Sequence, residues 1–135
     1  IKRKAKVNIE LKSENCVKKF LKIIDTYVEN YKWKYSDFLI SSYNHVELKK
    51  IQKFNSKIPL GLVICGIPVS KAKFAEHFGA YSIHIDYEFV NKSFITDAKK
   101  RNIKVIVYTV NDPVDIKKMK KWGVDGIISD FPDRL

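Results

Sequence analysis

Lys104–Leu135, KVIVYTVNDPVDIKKMKKWGVDGIISDFPDRL, is the stretch that leaves this chain the least freedom. Val105–Val110 is a continuous apolar run, the pattern of a strand buried on both faces. Asn111-Asp112-Pro113 stops it and starts a helix, with Asp112 placed to cap and Pro113 suited to the first turn. Ile116, Met119 and Trp122 recur at helical spacing, and Gly123 stands where a left-handed C-terminal cap is wanted. Val124–Ser129 then reads as a second strand. Two strands joined through a helix run parallel, so this end of the chain is a βαβ unit.

The same alternation runs back to the start. Lys6–Lys12 alternates cleanly, with Val7, Ile9 and Leu11 on one face and Asn8, Glu10 and Lys12 on the other. Ser13–Tyr31 reads as a helix with Ser13 as N-cap and Val17, Phe20, Leu21, Ile24 and Val28 as its core stripe. Asp37–Tyr43 is a second strand. His45–Phe54 is a short helix with Val46, Leu48 and Ile51 as its apolar positions. Ile58–Cys65 is a buried strand, Ser70–Phe78 a short helix, Tyr81–Tyr87 a strand and Glu88–Asn102 a helix with Phe94, Ile95 and Ala98 inward.

Six strands separated by helices predict a parallel sheet covered by helices. A complete (β/α)₈ barrel needs ~250 residues and rarely fewer than ~200; 135 residues cannot close one. Two architectures remain on this reasoning: an open doubly wound α/β domain, or part of a (β/α) barrel. In a barrel the apolar face of Lys6–Lys12 meets the helices. Glu10 and Lys12 then stand at the carboxyl end of their strand, where such folds carry their chemistry.

Several function classes are disfavoured. The net charge of +11 invites a nucleic-acid reading, but only Arg3, Arg101 and Arg134 among the 26 cationic residues are arginine. Base and phosphate recognition favours the planar guanidinium, and the lysines are spread along the chain. A general attraction for anionic or phosphorylated substrates fits better. No apolar run approaches the ~20 residues needed to span a bilayer. Cys16 and Cys65 have neither metal-ligand nor redox spacing. They read as buried or half-buried thiols, which together with the absence of a signal-peptide pattern points to the cytoplasm. The chain opens on Ile1 rather than Met and is read as processed or as part of something longer.

YTVND followed by GVDGIISDFPDRL resembles the C-terminal end of the glycerophosphodiester phosphodiesterase family. That family has an aromatic-Thr-Val-Asn strand, then Gly-Val-Asp-Gly-Ile-Ile-Thr-Asp-x-Pro. Tyr108 stands where the family usually has Trp, and Ser129 where it usually has Thr. IELK at Ile9–Lys12 is similar to the family's metal and phosphate strand, and SSYNHVELKKI at Ser41–Ile51 to its Ser-Phe-Asn/Asp segment. The resemblance covers Val7–Leu135 in the family's order.

It implies an α/β fold, the parallel-sheet (β/α) barrel of TIM type, present as an incomplete barrel: residues 1–135 are its C-terminal part. It implies metal-dependent hydrolysis of glycerophosphodiesters to an alcohol and glycerol 3-phosphate, a step of lipid metabolism. Glu10 becomes a ligand of a divalent cation, Mg²⁺ or Ca²⁺, which takes carboxylate oxygen. Lys12 becomes a phosphate contact. Tyr43 either lines the substrate pocket or packs, and Tyr108 is a substrate-binding residue.

The family's acid and base histidines lie on His-Arg-Gly and His-Asp segments that this chain lacks. His45 reads as a helix-start residue, and His45, His77 and His84 match neither segment. His84 and Asp86 share a strand face and could pair, either structurally or to tune the imidazole. The chain alone is thus expected to be nearly inactive. Its expected partners are the missing N-terminal part of the barrel, or a second copy, besides a small-molecule glycerophosphodiester. The alternative is a non-catalytic remnant of the fold that binds phosphate or serves as an interaction module.

Overall fold

The structure, a computed structural model, describes residues 5–135. Ile1 and Arg3, noted above, lie outside the described residues. The chain divides into two compact units, Ile1–Gly61 and Leu62–Leu135.

In the first unit, β1 (Val7–Glu10) pairs in parallel with β2 (Phe38–Ser42), Val7 opposite Phe38 and Glu10 opposite Ser41. The ladder runs one step further, because the Leu11 amide donates to the Ser41 carbonyl at 2.8 Å. Helix α1 (Val17–Tyr31) starts later than expected. Ser13 lies outside it, and Cys16, whose thiol turns back to the Ser13 carbonyl at 3.2 Å, holds the cap position without a side-chain cap. Val17, Leu21 and Ile24 are its buried residues. Lys32, at φ 58°, ends the helix, and a short 3₁₀ turn (Tyr35–Asp37) leads into β2.

Helix α2 (His45–Phe54) has the expected bounds but a different inward face. Asn44 caps it, accepting from the Val46 and Glu47 amides. Glu47, Leu48 and Ile51 are buried, while Val46 is 67% exposed. Leu48 and Ile51, three apart, fix the buried face. Glu47 lies one turn before Ile51 on it, and Val46 is rotated away.

Strand β3 (Leu60–Ile64) spans the boundary of the two units. The second unit continues with α3 (Lys73–Phe78), β4 (Ser82–Asp86), α4 (Lys92–Lys100), β5 (Lys104–Tyr108), α5 (Pro113–Trp122) and β6 (Gly126–Ile127), closing on a 3₁₀ turn at Pro132–Arg134. β4 and β5 are parallel, Ser82 opposite Lys104 and Asp86 opposite Tyr108; β5 and β6 are parallel, Ile106 opposite Gly126. Strand β6 is two residues long rather than six. Its backbone still bonds beyond those two: the Asp125 amide reaches Val105 at 2.8 Å, and the Val110 amide reaches Ile128 at 2.9 Å.

Helix α4 begins at Lys92 because Asn91 caps it, accepting from the Phe94 amide at 2.9 Å. Residues 88–91, expected in this helix, form the turn before it. Helix α5 is built as its sequence dictates: the Asp112 side chain accepts from the Val114 amide, Pro113 occupies the first turn, and Gly123 takes φ 76°. A side chain at Gly123 would be strained, and its Cβ would come within 2.8 Å of the Lys99 ammonium. Ile83, Ile85, Phe94, Ala98, Val105, Val107, Ile116 and Met119 form the buried apolar layer of this unit. Each fully buried Val, Ile, Phe or Met side chain among them contributes about 1.5–3 kcal/mol relative to exposure.

Cys65 is exposed and Cys16 half-buried. The expectation of two buried or half-buried thiols therefore fails at Cys65, which follows the last residue of β3 and leads into the Gly66-Ile67-Pro68 turn. Among the described residues, no helix is long and apolar enough to cross a membrane.

Candidate active-site residues

In a two-residue repeat, the residues of β1 that turn from its apolar neighbours are Asn8 and Glu10. Both are exposed, while Val7 and Ile9 are half-buried. Glu10 is the last residue of β1. Lys12, two residues on and 80% exposed in its side chain, holds its ammonium 3.9 Å from a Glu10 oxygen. So long and exposed a pair contributes about 0–1 kcal/mol at most. Its worth is in placing a mobile cation beside a carboxylate.

Across the ladder, the Ser41 hydroxyl donates to the Asn8 side-chain oxygen at 3.2 Å. The Ser42 hydroxyl donates to the Leu11 carbonyl at 2.7 Å and accepts from the Asn44 amide at 3.0 Å. The two strand ends are thereby joined just before Lys12 and Tyr43. Tyr43 is 54% exposed at the carboxyl end of β2. On α2, the buried Glu47 pairs with Lys50, and its Oε2 has no hydrogen-bond partner among the described residues.

In the second unit Tyr108 ends β5 half-buried, and its hydroxyl donates to the Ile64 carbonyl at 2.8 Å. That bond ties the ends of β5 and β3. Ser82 and His84 are buried on β4, with the Ser82 hydroxyl 3.1 Å from His84 Nε2. Burial lowers the His84 pKa to about 4, so the imidazole is neutral near pH 7. Asp86 accepts from the Glu88 amide at 3.0 Å. The partner of His84 is thus Ser82 rather than Asp86, because Asp86 is drawn into the turn that follows β4.

Asn111 organises the last segment. It donates to Asp130 at 2.9 Å and accepts from the Ser129 hydroxyl at 3.1 Å and the Asp130 amide at 3.0 Å. Arg134 reaches the Asn111 carbonyl at 3.1 Å. The Asn and Ser/Thr-Asp positions of the sequence pattern therefore hold one another.

Glu10 is suited to a hard divalent cation as a single oxygen donor. A complete site surrounds the ion with six or more oxygens, drawn from carboxylates, carbonyls and water. Among the described residues, no three His, Cys, Asp or Glu side chains are grouped to hold a metal ion.

The model of the glycerophosphoryl diester phosphodiesterase family matches residues 1–134. The chain belongs to this family. Within it, a glycerophosphodiester phosphodiesterase of Caldanaerobacter subterraneus is 34% identical over 96% of this chain and 53% of its own. The structure of an Oleispira antarctica phosphodiesterase, in complex with the product sn-glycerol-3-phosphate, matches with a TM-score of 0.82. It is 26% identical, over 96% of this chain and 53% of that one. A glycerophosphodiester phosphodiesterase from Parabacteroides distasonis, 20% identical, shares the fold with a TM-score of 0.75 over 95% of this chain and 54% of its own. The family member described here thus spans about half the length of these relatives. Its fold is α/β, a parallel-sheet (β/α) barrel of TIM type, present as an incomplete barrel.

Proposed function

We propose that this chain is the C-terminal part of a glycerophosphodiester phosphodiesterase barrel. The complete protein hydrolyses glycerophosphodiesters to an alcohol and glycerol 3-phosphate. The observation that carries this reading is the family match over residues 1–134. The 34% identity with the Caldanaerobacter enzyme and the product complex of the Oleispira relative support it.

The roles follow from charge and position. Glu10, Lys12, Tyr43 and Tyr108 each stand at or just past the carboxyl end of a strand, where barrel enzymes carry their working groups. Glu10 contributes one carboxylate ligand to Mg²⁺ or Ca²⁺. That ion, when bound, would polarise the phosphodiester. Lys12 offsets phosphate charge, and its long, weak pairing with Glu10 leaves the ammonium free to turn to an anion. The exposed ring of Tyr43 contacts the substrate beside it. Tyr108, held by its bond to Ile64, presents a fixed ring face.

Hydrolysis breaks the bond between phosphorus and the alcohol oxygen, which must then receive a proton. His84 does not supply it, being buried against Ser82 and neutral. The acid and base come from the remainder of the barrel, and this chain alone is nearly inactive. Two unpaired cysteines fit a reducing, cytoplasmic setting.

A second reading has one observation in its favour, the partial donor set around Glu10. On that reading the chain is a non-catalytic remnant that binds phosphate or a partner. Kinetics of the complete barrel separate the two. Glu10→Ala abolishes turnover and Lys12→Ala raises KM for the phosphodiester if the catalytic roles are right. Unchanged kinetics in both variants would remove those roles.

A further inference from the structure

The first unit carries an apolar groove of about 480 Å³ between β1 and α1. Ile9, Phe20, Ile23, Tyr27, Trp33 and Phe38 line it. The Trp33 ring stacks on Phe38 at 5.1 Å and meets Tyr27 edge-on at 6.4 Å, so the wall is a built aromatic surface. Ile23 and Tyr27 are 49% and 44% exposed, although they belong to the helix that packs this unit. The groove lies on the apolar face of β1, opposite the face of Asn8 and Glu10.

We infer that this groove is the seat of the amphipathic helix of the βα unit preceding β1 in the complete barrel. Three observations favour that occupant. Strand β1 stands first in its sheet and, among the described residues, pairs only with β2, so its other edge presents backbone groups to a further parallel strand. In a βα fold the helix of that added unit covers the outward face of the sheet next to it, where Val7 and Ile9 stand half-buried. Third, the relatives are about twice this chain's length, which leaves several βα units to account for. A small-molecule pocket is a poorer fit. Such sites pair apolar walls with a few convergent polar groups, and every residue lining this one is apolar or aromatic. The inference rests on the reading of the chain as part of a barrel, but not on catalysis.

The test uses the 135-residue chain carrying Trp122→Phe, so that Trp33 is its single tryptophan. The probe is the part of the Caldanaerobacter relative that this chain does not match, made as a separate polypeptide with its own tryptophans replaced by phenylalanine. Binding should move Trp33 emission to the blue and slow amide exchange at alternate residues of Val7–Glu10. Ile23→Asp, which places a charge in the groove without touching a buried side chain, should weaken binding by about tenfold or more. Val114→Asp, an exposed position on α5, should leave it unchanged.

Absence of any shift from a folded chain overturns the inference, as does a shift that Ile23→Asp leaves intact. Self-association that blue-shifts Trp33 and is abolished by Ile23→Asp, with no response to the probe, assigns the groove to a second copy and overturns it too. A hydrophobic dye seated there that the probe cannot displace would assign it to a small apolar ligand, with the same consequence. Release of glycerol 3-phosphate is read separately: docking without turnover removes the catalytic proposal and leaves this one standing.

Discussion

The Ser42 hydroxyl donates to the Leu11 carbonyl across the ends of β2 and β1, at 2.7 Å and in a buried position. The same oxygen accepts from the Asn44 amide. One small side chain therefore fixes the strand end that precedes Lys12 and the turn that carries Tyr43.

Ser42→Ala leaves the Leu11 carbonyl and the Asn44 amide without this partner. An unsatisfied buried group costs about 1–3 kcal/mol. The variant should unfold at lower urea concentration by an amount in that range, with unchanged slope. It should also raise KM of the complete enzyme more than it lowers kcat, because Lys12 and Tyr43 lose their positioning. An unaltered urea midpoint would show that the Ser42 bonds are replaced by water.

Glu47 is a buried carboxylate with one oxygen unpartnered and the other paired to a half-exposed lysine. Replacing a buried ion by an apolar side chain of similar volume is often neutral or stabilising. Its place in the first turn of α2 favours a negative charge by about 0.3–1 kcal/mol, which offsets part of the gain. Glu47→Leu should therefore raise stability by on the order of 1 kcal/mol in urea melts. A loss of about 2 kcal/mol or more would show that the bond to Lys50 and the favourable place at the helix start outweigh the cost of burying the carboxylate.

His84 gives the chain a pH dependence of defined sign. Its pKa falls from the ordinary 6.5 to about 4 in the folded state because burial disfavours the imidazolium. Between those values the unfolded chain binds the extra proton, so stability is complete above about pH 6.5 and is lost progressively as pH falls toward 4. The total is on the order of 3 kcal/mol. His84→Gln keeps a hydrogen-bonding side chain beside Ser82 and removes the titration. Urea midpoints measured at pH 7 and pH 5 should differ for the parent chain and differ far less for the variant. Equal pH responses in the two proteins would assign the dependence to other groups.

Much of the fold is written in short-range physics. The apolar runs at Val105–Val110 and Ile58–Cys65 mark strands because parallel sheets are covered on both faces. Asp112, Pro113 and Gly123 bound α5 to the residue because capping is local. The start of α1 was not legible, since Ser13 has the chemistry of a cap while the chain turns first through Cys16. The inward face of α2 was misassigned for a related reason. Hydropathy places Val46 inside and Glu47 outside, but the register set by Leu48 and Ile51 reverses them. The Ser82–His84 contact depends on Asp86 being taken by the Glu88 amide, a turn geometry that spacing does not encode.

The candidate site residues are legible only in part, because each unit carries its own at separate strand ends. Glu10 and Lys12 stand out through alternation on β1, and Tyr43 and Tyr108 through the family pattern. Nothing in residues 7–12 states how many more ligands a cation at Glu10 would need.

The most direct test of the account is an assay for glycerol 3-phosphate release from a glycerophosphodiester in Mg²⁺ or Ca²⁺. It is run on this chain alone and on this chain joined with the unmatched part of the Caldanaerobacter relative. The account predicts negligible release from the chain alone, metal-dependent release from the joined barrel, and loss of that release with Glu10→Ala. Robust release from the 135-residue chain by itself would contradict it. So would a folded, joined barrel that binds phosphate but turns over no phosphodiester.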